Sequence, residues 1–141
     1  DAAVAPMAVT VLLEDDLDVS RGDMLCRPNN RPDVTQDLEA MVCWMSETTP
    51  LLPGAKLAIK HTTRWARAMV KDLRYRLDIN TSHRDESATS LALNEIGRVR
   101  LRTTQPLMAD DYQRNRNTGS FILVDEGTNV TVAAGMIVGT E

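Results

Sequence analysis

IGRVRLR, residues 96 to 102, alternates apolar and basic side chains with a period of two. That period places Val99 and Leu101 on one face of a strand and three arginines on the other. A strand with one buried and one charged face is typical of an antiparallel sheet. The stretch therefore predicts a half-buried strand, which we extend over residues 96 to 107.

Other parts of the chain carry strand patterns at spacings of roughly ten residues. The predicted strands cover residues 8–13, 24–27, 34–45, 56–61, 64–79, 96–107, 119–125 and 129–138. In the longest one the apolar positions change parity near Lys71-Asp72, which predicts a β-bulge. One helical turn is expected around residues 109–115, and residues 80–90 are expected to form a loop. Many short strands with almost no helix predict an all-β barrel or sandwich.

The best linker in the sequence is PNNRPD, residues 28 to 33, because it concentrates residues that interrupt strands. We place a domain boundary there, with one unit over residues 1–31 and a second over residues 32–141. The length of 141 residues suits one domain and part of another. Because the chain starts at Asp1, close to a predicted strand, we expect it to be a piece of a longer protein.

Two surfaces are candidates for contact with a partner. The strand that begins at Val34 buries one face, yet its other face also becomes apolar at Met41, Cys43 and Met45. A strand facing water does not favour such residues, so this face is expected to pack on a neighbouring domain.

The second candidate surface is basic. The net charge of −4 divides into −7 over residues 1–55, +6 over residues 56–116 and −3 over the remainder. Arg98, Arg100 and Arg102 share one strand face about 7 Å apart, a spacing that suits phosphates or carboxylates. Cations on residues 64–79 could enlarge this patch: Arg67, Lys71, Arg74 and Arg76. The alternative is that the arginines only keep the strand soluble and block edge pairing.

Motifs for nucleotide or metal chemistry are missing from the sequence. It has neither GxxxxGK[ST] nor GxGxxG, and its two cysteines and two histidines lack the spacing of a zinc motif. No serine lies in a recognisable activating setting. We therefore assign no catalytic, cofactor-binding or metal-binding residue. Two cysteines without a signal peptide or an apolar run of about 20 residues predict a cytoplasmic protein without a membrane span.

Several long segments resemble the large, GTP-binding subunit of bacterial sulfate adenylyltransferase. They are LEDDLDVSRGDML (13–25), VCWM (42–45), KHTTR (60–64), YRLDINTSHRDESAT (75–89), LNEIGRVRLRTTQPL (93–107) and DDYQRNRNTGSFILVDEGTNVTVAAGMI (110–137). The chain is more distantly similar to the carboxy-terminal part of elongation factor Tu. The resemblance implies a six-stranded antiparallel Greek-key barrel, like the third domain of that factor, over residues 32–141. Residues 1–31 would be the closing β-hairpin of the second barrel.

The resemblance also implies a function. The intact complex would make adenosine 5′-phosphosulfate from ATP and sulfate, driven by GTP hydrolysis on the large subunit. GTP and magnesium would bind to a GTPase domain whose motifs this sequence lacks. The barrel is then expected to be a non-catalytic scaffold. Its expected partners are the small adenylyltransferase subunit and the GTPase domain in cis. Residues 1–31 are expected either to pack on the barrel or to exchange strands with a second copy.

A different class of function remains open from sequence. The barrel could be the RNA-binding third domain of a translation-factor GTPase, with the arginine stripe on phosphates. Aromatic residues make up only 4% of the chain, which leaves little for stacking on bases and argues against nucleic acid.

Overall fold

The computed structural model describes residues 2–140, and within them it contains strands and no helix. The strands are β1 (Asp33–Trp44), β2 (Lys56–His61), β3 (Arg64–Leu77), β4 (Arg84–Asp85), β5 (Ile96–Ala109), β6 (Ser120–Val124) and β7 (Thr131–Thr140).

The strands form one antiparallel sheet in the order β2-β6-β7-β1-β5-β3, and pairing between β2 and β3 closes it into a six-stranded barrel. The short strand β4 pairs with the end of β3 and stands outside this ring. Because β1 lies between β5 and β7, its neighbours are distant in sequence. The predicted all-β, six-stranded antiparallel barrel is confirmed.

The core lies inside the barrel and is almost entirely aliphatic. The inward positions of β1 are those that the sequence pattern predicts: Leu38, Ala40, Val42 and Trp44. Val99 and Leu101 of β5 meet them across the strand pair, with Leu101 directly opposite Leu38. Alternation along each strand thus separates a buried inner face from an outer face that is available for contacts.

The predicted bulge in β3 is confirmed. The register with β5 shifts between Val70 and Asp72, so the extra residue is Lys71. A bulge admits one unpaired residue and reverses the facing of the residues after it, which accounts for the change in parity. It keeps Leu73 packed against the core.

Two local predictions are wrong. Residues 8–13 and 24–27 are not strands. A strand needs a hydrogen-bonded neighbour, and within residues 2–140 residues 8–13 have none, whatever their β propensity. The helical turn expected around residues 109–115 is present after the end of β5, where the amide of Asn115 donates to the Asp111 carbonyl at 3.0 Å. The expected loop over residues 80–90 is interrupted by the two residues of β4.

Residues 2–32 touch the barrel at the turn around Gly22 and at Asn30, whose side-chain oxygen accepts a hydrogen bond of 2.6 Å from Arg114. Gly22 is buried, has φ of +100°, and would place a Cβ only 2.6 Å from Nε of Arg64. Asp23 forms a salt bridge of 3.0 Å with the same arginine. The assignment of this segment to a second barrel stays a prediction.

Candidate interaction surface

A groove of about 730 Å³ crosses the outer face of the barrel. Two of the three apolar residues predicted as a contact surface, Met41 and Cys43, lie in it. They are half-buried, whereas Met45 lies just beyond the end of β1, exposed and outside the groove. Two of the three side chains therefore share one groove, and their contact with a partner stays a prediction.

The apolar floor of this groove comes from neighbouring strands in register. Met41 of β1 lies directly opposite Met136 of β7, and Cys43 lies opposite Ala134 on one side and Ile96 of β5 on the other. Ile122 of β6 continues the row beyond β7. Four adjacent strands thus present apolar side chains to the outside, where an isolated barrel would present polar ones.

The loop over residues 110–119 forms one wall of the groove. Its ends are tied to the barrel by the amide of Tyr112, which donates to the Ile137 carbonyl at 2.9 Å, and by the amide of Ile137, which donates to the Gly119 carbonyl at 2.8 Å. A Cβ at Gly119 would overlap the backbone of Tyr112. The glycine therefore permits the close approach that fixes this wall.

His61 fastens the same loop from the side of β2. It is fully buried, and its Nε2 donates to the carbonyl of Thr118 at 2.6 Å. Burial lowers the pKa of His61, against the opposing effects of this hydrogen bond and of nearby Asp110. The lowered pKa favours the neutral imidazole, and the hydrogen bond to the carbonyl requires a proton on Nε2. The buried ring therefore serves to hold the loop rather than as a base open to substrate.

Two cations line the groove. Lys60 of β2 lies over the ring of Trp65 at 5.7 Å, and Arg116 lies over the ring of Tyr112 at 6.0 Å. Sequence reasoning missed these residues together with Ile122 and Met136. A signal existed, because Ile122 of β6 and Ala134 and Met136 of β7 are apolar at outward positions, where the alternation favours polar residues.

The predicted arginine stripe exists, but carboxylates of adjacent strands accompany it. Arg98 and Arg102 of β5 form salt bridges with Glu39 at 2.9 Å and Asp37 at 2.5 Å, both on β1. Arg100 lies 3.7 Å from Asp72 of β3. We call these three pairs the arginine ladder.

Electrostatics of the arginine ladder favour a structural role. Hydrogen bonds to Glu39 and then to Tyr75 raise the pKa of Arg98. Arg74 adds further ion pairs, 3.5 Å from Asp72 and 3.8 Å from Glu39. With its charge balanced inside the sheet, the ladder offers less attraction to phosphate than three bare guanidinium groups would.

Of the other predicted members of the basic patch, Arg74 and Lys71 lie beside the ladder, whereas Arg67 and Arg76 lie apart from it. Arg67 lies near the β6–β7 turn, where its exposed side chain binds Glu126 at 2.7 Å. Arg76 is held between Asp85 at 3.0 Å and Glu95 at 2.9 Å. Arg67 and Arg76 therefore have carboxylate partners of their own outside the ladder.

Potential metal ligands are dispersed over the described part of the chain. Within residues 2–140, His, Cys, Asp and Glu form no group of three or more that could hold a metal ion. Cys26 and Cys43 are free thiols, the first exposed and the second half-buried. Across the same residues, no helix is long and apolar enough to span a membrane.

The family follows from a match over most of the barrel. Residues 37–138 match the model of the GTP-eEF1A C-terminal domain-like family. The chain belongs to this family. Its members' C-terminal domain corresponds to the closed barrel described above, from the middle of β1 to near the end of β7.

Curated relatives of this family member are named either bifunctional enzyme CysN/CysC or sulfate adenylyltransferase subunit 1. The chain is 58% identical over 135 residues to the bifunctional enzyme CysN/CysC of Mycobacterium tuberculosis H37Rv, covering 96% of the chain and 22% of that enzyme. It is 47% identical over 137 residues to sulfate adenylyltransferase subunit 1 of Sulfurovum sp., covering 97% of the chain and 28% of the relative. The chain thus spans about a quarter of these relatives, and its resemblance to the large GTPase subunit is confirmed.

Solved structures support the fold. The family barrel superposes on sup35 complexed with GDP with a TM-score of 0.71 at 22% identity, over 81% of this chain and 28% of that one. The complex of sup35 with GMPPNP gives a TM-score of 0.73 at 19% identity. The likeness to barrels of translation-factor-like GTPases is therefore one of fold.

Proposed function

We propose that this barrel is a non-catalytic scaffold and subunit-interaction domain of the GTPase subunit of a sulfate adenylyltransferase. The single observation that carries the proposal is the 58% identity to the bifunctional enzyme CysN/CysC across 96% of the chain. The complete assembly would form adenosine 5′-phosphosulfate from ATP and sulfate, in the cytoplasm, with GTP hydrolysis as the driving reaction. GTP and magnesium would bind in a separate GTPase domain of the same polypeptide.

The side chains of the barrel suit a scaffold better than a catalyst. The buried His61 is committed to the Thr118 carbonyl. The arginines of the ladder are matched with carboxylates, whereas the groove at Met41 and Met136 leaves apolar surface uncovered. Uncovered apolar surface is the ordinary mark of a docking face.

Amine-reactive cross-linking of the assembled complex tests this role. The chain contains three lysines, of which Lys60 lines the groove and Lys71 lies at the β3 bulge. We expect Lys60 to cross-link to the small adenylyltransferase subunit or to the GTPase domain. Cross-links from the barrel lysines confined to the barrel would contradict a scaffold role, and so would nucleotide turnover by the purified chain.

The RNA-binding alternative gains no support from the geometry. Its main argument was a bare arginine stripe, and the stripe is balanced by Asp37, Glu39 and Asp72. We therefore keep one proposed function.

A further inference from the structure

We propose that the groove binds an acidic amphipathic helix of a partner polypeptide. The inference deepens the scaffold role proposed above, on which it rests, by giving the chemistry of the partner. It depends on three features of the groove: its apolar floor, the hydrogen bonding of its strands and the sign of the charges that line it.

The floor requires an apolar occupant. Met136 is 41% exposed, and the residue directly opposite it on β1 is the apolar Met41. On β6 the opposite residue is Ser120, and Ile122 of the same strand adds a further apolar side chain to the floor. The floor crosses β6, β7, β1 and β5, four strands with about 4.8 Å between neighbours. Methionines in such a floor adapt to the shape of the side chains that they meet.

The strands of the floor exclude an occupant that adds a strand. Each of β6, β7, β1 and β5 is hydrogen-bonded on both sides, because the barrel is closed. A partner therefore finds no free strand edge here and has to bind through side chains. A helix satisfies its own backbone and presents an apolar stripe, so it is the element that suits this floor.

The charges require an acidic occupant. Lys60 and Arg116 line the groove, and none of the described residues that line it is Asp or Glu. Each of these two cations lies over an aromatic ring, and within residues 2–140 neither forms an ion pair. They differ in this from the arginine ladder, where each guanidinium has a carboxylate nearby.

Lys60 and Arg116 lie on two elements that a hydrogen bond holds together, so one partner can contact both. Lys60 precedes His61, whose hydrogen bond to Thr118 holds the loop that carries Arg116. Carboxylates on the margin of a bound helix can therefore pair with both while its apolar stripe covers Met41 and Met136. Such charge complementarity selects for sign and speeds association.

Two synthetic peptides test the inference on this chain. Both are helices of about 14 residues with a Leu stripe; one carries Glu along the margin of the stripe, and its twin carries Lys at the same positions. Binding is followed by the methyl resonances of ¹³C-labelled methionines. We expect the acidic peptide to shift Met41 and Met136 in a saturable way, and the basic twin to leave them unchanged.

Matched variants separate charge from fold. Replacing both cations, Lys60→Glu with Arg116→Glu, should weaken binding of the acidic peptide about tenfold. Arg84→Glu is the control, because Arg84 also lies over an aromatic ring, Tyr75 at 5.0 Å, but does not line the groove. It should leave the affinity unchanged, and circular dichroism confirms that each variant is folded.

Several outcomes would overturn the inference. They are no shift with the acidic peptide, equal binding of the basic twin, and equal weakening by Arg84→Glu. Shifts that depend on protein concentration without peptide would instead assign the groove to a second copy. The peptide assay contains no adenylyltransferase subunit, so a negative result would not contradict the proposed role as a subunit-interaction domain. A negative cross-linking result would likewise not contradict the proposed preference of the groove for an acidic helix.

Discussion

At the scale of single residues, the packing of the barrel depends on the absence of a side chain at Gly135. Gly135 has no side chain, and the ring of Phe121 occupies the space directly opposite it inside the barrel. The only large aromatic ring on β6 thus packs over a glycine of β7. Its burial at 4% exposure shows how completely the pair fills this part of the core.

Gly135→Ala tests that packing. The new methyl group would lie 2.5 Å from Cε2 of Phe121 and would overlap Cζ, so the ring has to move out of a filled core. We expect the free energy of unfolding to fall by about 1–3 kcal/mol in urea denaturation. Gly139→Ala, in the same strand, is the control, since its methyl group would meet nothing closer than 3.9 Å. Equal effects of the two substitutions would show that Phe121 is not the cause.

His61 gives the unfolding free energy a dependence on pH. Burial lowers its pKa in the folded chain below the ordinary 6.5. Between these two values the unfolded chain carries a proton that the folded chain lacks, so stability falls as the pH drops through this window. His61→Gln keeps an amide donor near Thr118 and removes the titration. Urea midpoints measured between pH 8 and pH 5 should show a weaker slope in this variant; an unchanged slope would assign the effect elsewhere.

At the scale of elements, alternation predicted the paired strands well and failed where pairing is absent. β1, β2 and β5 begin within one residue of their predicted starts. A strand with one buried face has an apolar residue at every second position, and this period is visible in the sequence. Residues 8–13 are mostly apolar and include three β-branched side chains, yet they lack a neighbouring strand within the described chain. Local composition reports what a segment can form, and only partners decide whether it does.

The pattern of a single strand does not reveal its neighbours, and this also limited what the sequence could predict about the candidate surface. The apolar outer positions Met41 and Cys43 are visible within one strand. Their meeting with Met136 and Ile96 depends on strand order, which the periodicity of a single strand does not contain. The arginine stripe was likewise visible, but the carboxylates opposite it come from other strands.

The arginine ladder makes a testable prediction about strand pairing. Arg102 of β5 lies directly opposite Asp37 of β1 and binds it. Arg102→Glu should lower the free energy of unfolding by about 1 kcal/mol, because like charges then face each other across the strands. Adding Asp37→Arg should restore most of that loss. A double variant no more stable than the single one would show that the pair contributes nothing.

At the scale of the whole molecule, the charge distribution separates the two classes of function. The net charge of −4 and the balanced ladder leave no broad basic surface on the described residues. The surface that stays uncovered is a groove whose floor is apolar and whose cations are few. A surface of this kind favours a protein partner over a nucleic acid.

Fluorescence anisotropy with labelled tRNA checks this at two salt concentrations. We expect weak binding with a shallow salt dependence, because few cations are free to displace counterions from phosphate. Tight binding of tRNA that weakens steeply with added salt would contradict the proposed protein partner and favour the RNA-binding alternative. The variant Lys60→Glu with Arg116→Glu is measured in parallel, and the difference in tRNA affinity gives the contribution of these two cations to phosphate contacts.

The position of β1 between β5 and β7 has a consequence for biosynthesis. β1 is the first barrel strand to leave the ribosome, and both of its partners are made later, β7 last of all. Pairings of such long sequence separation make folding slow, since the chain has to close large loops before they form. The nascent barrel therefore stays open until Thr131–Thr140 has emerged, and in that interval the edge of β1 is exposed to other chains.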